Sequence, residues 1–198
     1  MDYEERLRKL IKVNNGIIAT KEVEAEQIPR QYLSILVQKN ELEHVAHGVY
    51  LTPDTFYDEM YCIQLRADKV VFSNETALYM HDLTDRDPLI YAVTVPRGYA
   101  TNRLRETGIA VSTVKEELYS IGITTKLTVH GRNVKVYDVE RTICDIVKNR
   151  NKMDKDMFYL ALKRYAGSKS KNLKRLMEYA KRLNLEKQVM QYMEGFLV

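Results

Sequence analysis

The chain has 198 residues, of which 45% are hydrophobic and 29% are charged, and its formal net charge is +4. These proportions are typical of a globular protein, and the length allows one domain or two. No apolar run approaches the roughly 20 residues that a membrane-spanning helix needs. The charged N-terminus, MDYEERLRKL, lacks the apolar segment of a signal peptide. We therefore expect a cytoplasmic protein.

The positive charge is concentrated in the last quarter of the chain. Residues 1–52 carry 7 Lys/Arg and 8 Asp/Glu, residues 53–149 carry 12 and 14, and residues 150–198 carry 12 and 5. The net charges of the three segments are therefore −1, −2 and +7. A basic segment favours a polyanionic partner, either nucleic acid or an acidic protein face, although a solvated helix surface would explain the same charges.

Residues 1–52 are predicted to begin with three helices. Apolar residues at helical spacing predict the first helix over residues 3–13. Thr20 is expected to cap the second helix, because a hydroxyl there can accept a hydrogen bond from the first turn. Pro29 is expected at the first position of the third helix, where its missing N–H costs nothing.

A hairpin is predicted after the third helix. Two alternating apolar runs, 42–45 and 49–51, flank the tripeptide Ala-His-Gly, which places His47 at the tip of a three-residue connection. Three helices followed by a two-stranded ribbon are the order of a winged helix-turn-helix. We therefore predict that residues 1–52 form a DNA-binding domain of this kind.

Residues 53–198 alternate between predicted helices and strands and then become entirely helical. The predicted strands are 69–73, 89–96, 109–115, 125–131 and 133–138. The predicted helices are 56–67, 74–83, 139–149 and three more from residue 154 onward, with a short helix inside 97–108. The whole chain is thus predicted to have a mixed α+β fold, in which residues 53–198 form a larger α/β domain that ends in a helical, basic segment.

The third helix carries the predicted DNA contacts. Leu33, Leu36 and Val37 are expected to face inward, so that the polar residues project from the opposite side. Arg, Gln and Ser are residue types that contact base edges or phosphates, and the preceding helix and the ribbon tip would add further contacts. The residues assigned to DNA binding are Thr20, Lys21, Arg30, Gln31, Tyr32, Ser34, Gln38 and His47.

An ordinary amphipathic surface helix would show the same polar face. The net charge of −1 over residues 1–52 also opposes DNA binding, because neutralised phosphates supply most of the non-specific attraction. The basic C-terminal helices could provide that attraction. In the segment 171–183, apolar residues 173, 176, 177, 180 and 183 form one stripe. The residues assigned to phosphate or partner contact are Lys163, Lys171, Lys174, Arg175 and Arg182.

No catalytic residue, metal or cofactor is predicted. Cys62 and Cys144 are far apart in apolar patterns, which favours two reduced core thiols, and the four histidines show no ligand spacing with them. The carboxylates Asp82, Asp85 and Asp87 fit a polar loop after a helix. Glu140 lies in a predicted helix, where Arg141 and Asp145 are expected to form a surface ion pair at i,i+4.

Several motifs, in their order along the chain, resemble the AbiEi antitoxins of bacterial abortive-infection systems, which confer phage resistance. The motifs are HGVYL at the wing, then SNETALYMHDLTD, VTVPRG and VYDVERTICDIV. The resemblance extends from Ile17 to about Val147. It implies a DNA-binding autorepressor that binds inverted repeats in its own promoter. It also implies an antitoxin that counters a nucleotidyltransferase-like toxin without a stable complex.

Two alternatives remain beside this hypothesis. The first is a protein-interaction module, in which the winged helix is a docking surface and the basic tail meets an acidic partner. The second is an RNA-binding protein that uses the basic tail, with some of the 14 tyrosines stacking on bases. For the DNA-binding protein, we expect a monomer in solution that pairs on double-stranded DNA.

Overall fold

The computed structural model describes residues 2–196, which form two compact units. Unit 1 comprises the chain up to Asp68 together with Thr128–Arg132, and unit 2 comprises Lys69–Leu127 and the chain from Asn133 onward. The fold is mixed α+β, as expected, with helices and two sheets. Unit 1 is longer than the predicted domain 1–52.

The elements of unit 1 follow the predicted order, with one strand and one helix added to it. They are α1 (Tyr3–Val13), β1 (Ile17–Ala19), α2 (Thr20–Ala25), α3 (Gln31–Gln38), β2 (Glu43–Ala46), β3 (Val49–Leu51) and α4 (Glu59–Arg66). The strands form an antiparallel sheet in the order β1-β3-β2. The ribbon therefore has three strands, because the apolar segment after α1 pairs with β3.

Both faces of this small sheet are covered by hydrophobic residues. Ile18 packs in a cluster formed with residues of α1, α2 and α3. Its neighbours Ile17 and Ala19 point to the opposite face, where they pack with Cys62 and Leu65 of α4. The helix α4 therefore belongs to unit 1 because it covers the second face of the sheet, which explains why the unit continues past residue 52.

Three local predictions in unit 1 were wrong. The N-cap of α2 is Ala19 and not Thr20, and the side chain of Glu22, in the first turn, accepts a hydrogen bond from the Ala19 N–H at 2.7 Å. The helix α3 has Arg30 as its N-cap, so Pro29 lies just before the helix. The hairpin loop has two residues rather than three, since Ala46 pairs directly with Val49.

Unit 2 contains the predicted strands and helices, with small shifts of their ends, and one short helix, α7, that was not predicted. Its elements are β4 (Val71–Phe72), α5 (Asn74–Met80), β5 (Ala92–Pro96), α6 (Asn102–Glu106), β6 (Ala110–Val114), α7 (Glu116–Tyr119), β7 (Ile123–Leu127), β8 (Asn133–Tyr137), α8 (Val139–Asn149), a 3₁₀ turn (Arg150–Lys152), α9 (Lys155–Gly167), α10 (Leu173–Arg182) and α11 (Glu186–Glu194).

The sheet of unit 2 is mixed, in the order β6-β5-β4-β8-β7. The pairs β5–β6 and β4–β8 are parallel, whereas β4–β5 and β7–β8 are antiparallel. The main hydrophobic core joins α5 and α8 to the three C-terminal helices, for example through Leu78, Ile143, Leu162, Leu176 and Val189. The helical tail is therefore an integral part of the core of unit 2.

The ion pair of Arg141 and Asp145 is buried, which corrects the prediction of a surface pair. Arg141 is fully buried and its Nε lies 3.0 and 3.1 Å from the two carboxylate oxygens of Asp145. Its Nη1 donates to the carbonyl oxygens of Leu118 and Ile121 at 2.6 and 2.9 Å. The guanidinium also lies over the ring of Tyr137, 4.2 Å from its centroid. One side chain thus fixes α8, α7 and β8 together.

Both cysteines are free and buried, as predicted. Burial raises the pKa of Cys62 to about 11 and that of Cys144 to about 12, so both thiols stay protonated at neutral pH. Within residues 2–196, none of the helices has the length and apolar character needed to span a bilayer. The same residues contain no group of three or more His, Cys, Asp or Glu side chains that could hold a metal ion.

Replacement of Arg141 by Ala is expected to destabilise unit 2 by about 3–5 kcal/mol, because it leaves the buried carboxylate of Asp145 without its partner. Arg86→Ala is the matched control: Arg86 pairs with Asp154 at 3.1 Å on the surface, where such pairs contribute about 0–1 kcal/mol. Urea unfolding followed by circular dichroism measures both. Equal losses in the two variants would contradict the central role of the buried guanidinium.

Candidate nucleic-acid interface

The helix α3 is anchored to unit 1 by one apolar side. Leu33 and Leu36 are buried in the cluster that also holds Leu7, Val23 and Ile28, while Val37 is half-buried against it. At 3.6 residues per turn, these positions occupy one stripe of the helix. The inward residues predicted from the sequence are therefore confirmed, and the polar residues of α3 lie outside this cluster.

The opposite side of α3 presents polar side chains to solvent. Arg30, Gln31, Ser34 and Gln38 are all exposed, and their side chains form no hydrogen bond or ion pair with any other residue that the structure describes. Positions 31, 34 and 38 are three and four residues apart, which places them on one face. Lys21, near the start of α2, is exposed in the same way.

The other three predicted contacts have different surroundings. Tyr32 is half-buried, and its ring lies against that of Tyr3 with the centroids 5.3 Å apart. The hydroxyl of Thr20 donates to the carbonyl oxygen of Gly48 at 3.4 Å, which ties the start of α2 to the hairpin. His47 is exposed at the hairpin loop, next to Gly48 in the left-handed conformation. Of these three, His47 is the most accessible to a partner.

Three acidic side chains of unit 1 are held by contacts within the unit. Glu4 lies 2.7 Å from Lys39, and Glu41 lies 2.7 Å from Arg8. These cations lower the pKa of both carboxyl groups, and Lys39 is the largest cause for Glu4 and Arg8 for Glu41. Glu22 is bonded to the Ala19 N–H. These acids therefore have partners within unit 1, but its net charge is unchanged, because Lys39 and Arg8 are already counted in it.

The segment 128–132 belongs to unit 1, which was not predicted from the sequence. The guanidinium of Arg132 donates to the carbonyl oxygens of Asn14 and Asn15, at 3.4 and 2.8 Å, just after α1. It also lies 5.2 Å from the ring centroid of Tyr61 on α4. The predicted turn between two strands gave no sign of this, because the contact joins residues more than a hundred positions apart.

The basic residues of the C-terminal helices are not equivalent. Lys163, Lys174 and Arg182 are exposed and form no ion pair among the described residues. Arg175 lies 3.9 Å from the buried carboxylate of Glu140, and Lys171 donates to the carbonyl oxygen of Ser168 at 3.3 Å. Leu173, which was predicted to face inward, is 37% exposed. Among the described residues, the cations of the predicted set without an internal partner are thus Lys163, Lys174 and Arg182.

The candidate carboxylates do not converge on a common site. Asp85 pairs with Arg164, which lowers its pKa. Glu140 accepts hydrogen bonds from the Asn172 N–H at 3.0 Å and from the Tyr165 hydroxyl at 3.4 Å. His81 is bonded through Nε2 to the carbonyl oxygen of Tyr137 at 2.7 Å, and burial lowers its pKa. Each of these groups has a structural partner.

Comparison with known proteins finds a likeness in fold but none in sequence family. No family model and no curated protein matches the chain. The chain is similar in structure to the Rv2827c protein from Mycobacterium tuberculosis, with a TM-score of 0.65 and 10% sequence identity. The match covers 98% of this chain and 76% of the mycobacterial one. At this identity the likeness establishes a shared fold.

Leu36→Ala should lower the free energy of unfolding of unit 1 by about 2–5 kcal/mol, because it opens a cavity under α3. Gln38→Ala, on the exposed face of the same helix, should change it by less than about 0.5 kcal/mol. Hydrogen exchange of the α3 amides reports this difference directly. Comparable protection losses in the two variants would mean that α3 is not seated through Leu33 and Leu36.

Proposed function

We propose that the protein is a DNA-binding autorepressor and antitoxin, similar to the AbiEi antitoxins of abortive-infection systems. In this proposal unit 1 contains a winged helix-turn-helix, with α2 and α3 as its two helices and the β2–β3 hairpin as its wing. The repressor binds inverted repeats in its own promoter. The antitoxin counters a nucleotidyltransferase-like toxin, and the proposed mode of action requires no stable complex between the two.

The observation that carries the proposal is the free polar face of α3. Arg30, Gln31, Ser34 and Gln38 are exposed and uncommitted, while the other side of the helix is buried. An α-helix of this size fits the major groove, where Arg can bond to the O6 and N7 atoms of guanine and Gln to the N6 and N7 atoms of adenine. The N-terminal part of the second motif helix is the part that enters the groove, and Arg30 and Gln31 lie there.

The phosphate contacts would come from several elements. Lys21 at the start of α2 is exposed, and the N-terminus of a helix favours a nearby phosphate. In unit 2, Lys163, Lys174 and Arg182 are exposed cations without an ionic partner among the described residues. Arg175 and Lys171 are weaker candidates than the sequence suggested, because each already has an intramolecular acceptor.

Arg30→Ala should weaken binding to the inverted repeat by about 1–3 kcal/mol and reduce the preference for that sequence, because a base contact is lost. Lys12→Ala removes an exposed cation of α1 in the same unit and serves as the matched control. Fluorescence anisotropy with a labelled duplex from upstream of the gene, against a scrambled duplex at ~150 mM salt, measures both. If the unmodified chain shows no preference between the duplexes, unit 1 is better explained as a protein-docking surface.

Replacing Lys174 and Arg182 together by Ala should weaken binding to both duplexes alike and reduce the salt dependence, with each lost phosphate contact lowering the slope by about 0.9. The control is the double replacement of Lys152 and Lys155, two other exposed cations of unit 2, which removes the same charge. Identical effects of the two pairs would indicate a general charge effect. No effect of Lys174 and Arg182 would remove the basic tail from the DNA interface.

A further inference from the structure

The strand β6 forms an open edge of the sheet in unit 2. It pairs with β5 along its full length, from Ala110 opposite Ala92 to Val114 opposite Pro96, and it is the terminal strand of the sheet. Ala110 and Thr113 are exposed, and none of the five residues of β6 is fully buried. Within residues 2–196 no strand pairs with the outer side of β6. An unpaired edge of this length is a template for pairing with another strand, and proteins commonly block such edges.

The hydrogen-bond register defines which backbone groups face outward. The Ala110 N–H donates to the carbonyl oxygen of Tyr91, and the Val114 carbonyl oxygen accepts from the Arg97 N–H, at 2.9 and 2.7 Å. Alternate residues of a parallel strand bond to the same neighbour. Residues 110, 112 and 114 therefore bond to β5, while Val111 and Thr113 direct their N–H and C=O groups to the open edge.

A charged side chain already forms a hydrogen bond with one of these outward backbone groups. Nη2 of Arg105, on α6, donates to the carbonyl oxygen of Val111 at 3.0 Å, where the N–H of an added strand would lie. Arg97 and Arg103 are exposed nearby in the chain, and with Arg105 they form no ion pair among the described residues. The flanking helices also carry three exposed acids, Glu106, Glu116 and Glu117. Of these, Glu117 pairs with Lys115 at 3.7 Å.

Exposed apolar side chains lie at one end of the same edge. Leu89 and Ile90, just before β5, are 102% and 58% exposed. Because β5 and β6 are parallel and Ala92 lies opposite Ala110, these residues are at the end where β6 begins. A docked strand would therefore meet backbone groups along β6, arginines beside it and apolar surface at its end.

We propose that β6 is a docking edge for an extended, acidic peptide segment of a partner protein, which adds to the sheet as a sixth strand. A backbone N–H of the segment replaces Arg105 at the Val111 carbonyl oxygen, and the released guanidinium pairs with a carboxylate of the segment. Main-chain hydrogen bonds supply affinity in this mode of recognition and side-chain contacts supply specificity, while charge-assisted bonds to arginine strengthen it.

Charge favours an acidic segment over the other possible occupants. A second copy paired through β6 would bring its own arginines to the same edge, and like charges across an interface oppose association. Nucleic acid would satisfy the arginines but would leave the outward N–H and C=O groups of Val111 and Thr113 without strand partners. The proposal concerns unit 2 and does not depend on DNA binding by α3, so each can fail without the other.

The test uses the full chain and a fluorescein-labelled nine-residue peptide of alternating Val and Glu, with a Val and Lys peptide as its charge-reversed counterpart. Thr113→Pro removes an outward N–H without breaking the ladder with β5, since proline is tolerated on the open side of an edge strand. Thr125→Pro is the matched control, because Thr125 is an exposed, outward-facing residue of β7, the other edge of the same sheet. Thermal unfolding of both variants establishes that they fold.

Anisotropy titration should show saturable binding of the Glu peptide and none of the Lys peptide. Thr113→Pro and the double replacement of Arg103 and Arg105 by Ala should each weaken that binding about tenfold or more, while Thr125→Pro leaves it unchanged. The proposal is overturned if the Glu peptide does not bind up to about 1 mM. It is also overturned if the arginine variant weakens binding and Thr113→Pro does not, which would assign the patch to anions in general. A dimer that Thr113→Pro dissociates would assign the edge to a second copy.

Discussion

The burial of β1 and β3 on both faces is the constraint on which the architecture of unit 1 depends. Ile18 contributes to the core beneath α3, whereas Ile17 and Ala19 contribute to the core beneath α4. A three-residue strand can do this only because successive side chains point to opposite faces of a sheet. Since the helices are held by this shared sheet, the outer face of α3 has no role in the packing of unit 1 and can carry polar residues at no cost in stability.

Unit 2 combines its hydrophobic core with a buried charge. Arg141 is buried with Asp145, two carbonyl oxygens and the ring of Tyr137, and the close approach of α8 to the preceding loop is possible because residue 122 is glycine. A Cβ on Gly122 would lie 2.7 Å from Cβ of Arg141. A buried ion pair contributes little net stability compared with apolar packing, but the loss of one partner is costly. Because the loss of these contacts is costly, Arg141 holds α7, α8 and β8 in one arrangement.

The helices and strands were predicted better from the sequence than the contacts that each of them makes with other parts of the chain. Helical and alternating periodicity located α3, the hairpin and α8 because these signals are local. The burial of the ion pair at Arg141 could not be predicted, since an i,i+4 pair has the same spacing on a surface helix and in a core. The contacts of Arg132 with Asn14 and Asn15 depend on a distant part of the chain. Likewise, β1 was seen only as an apolar segment because its partner β3 lies about thirty residues later.

The distribution of charge links the two units in the proposed function. Unit 1 carries nine Lys/Arg and twelve Asp/Glu, so it has little general attraction for a polyanion. Several of these acids are bound within the unit, but their cationic partners are already counted, so the net charge stays negative. Sequence preference and affinity would therefore have different origins: polar side chains of α3 would contact the bases, and exposed lysines and arginines of unit 2 would supply the salt-dependent attraction. Under this proposal both units would contact DNA, because the polar face of α3 would supply the sequence preference and the basic helices of unit 2 the salt-dependent affinity.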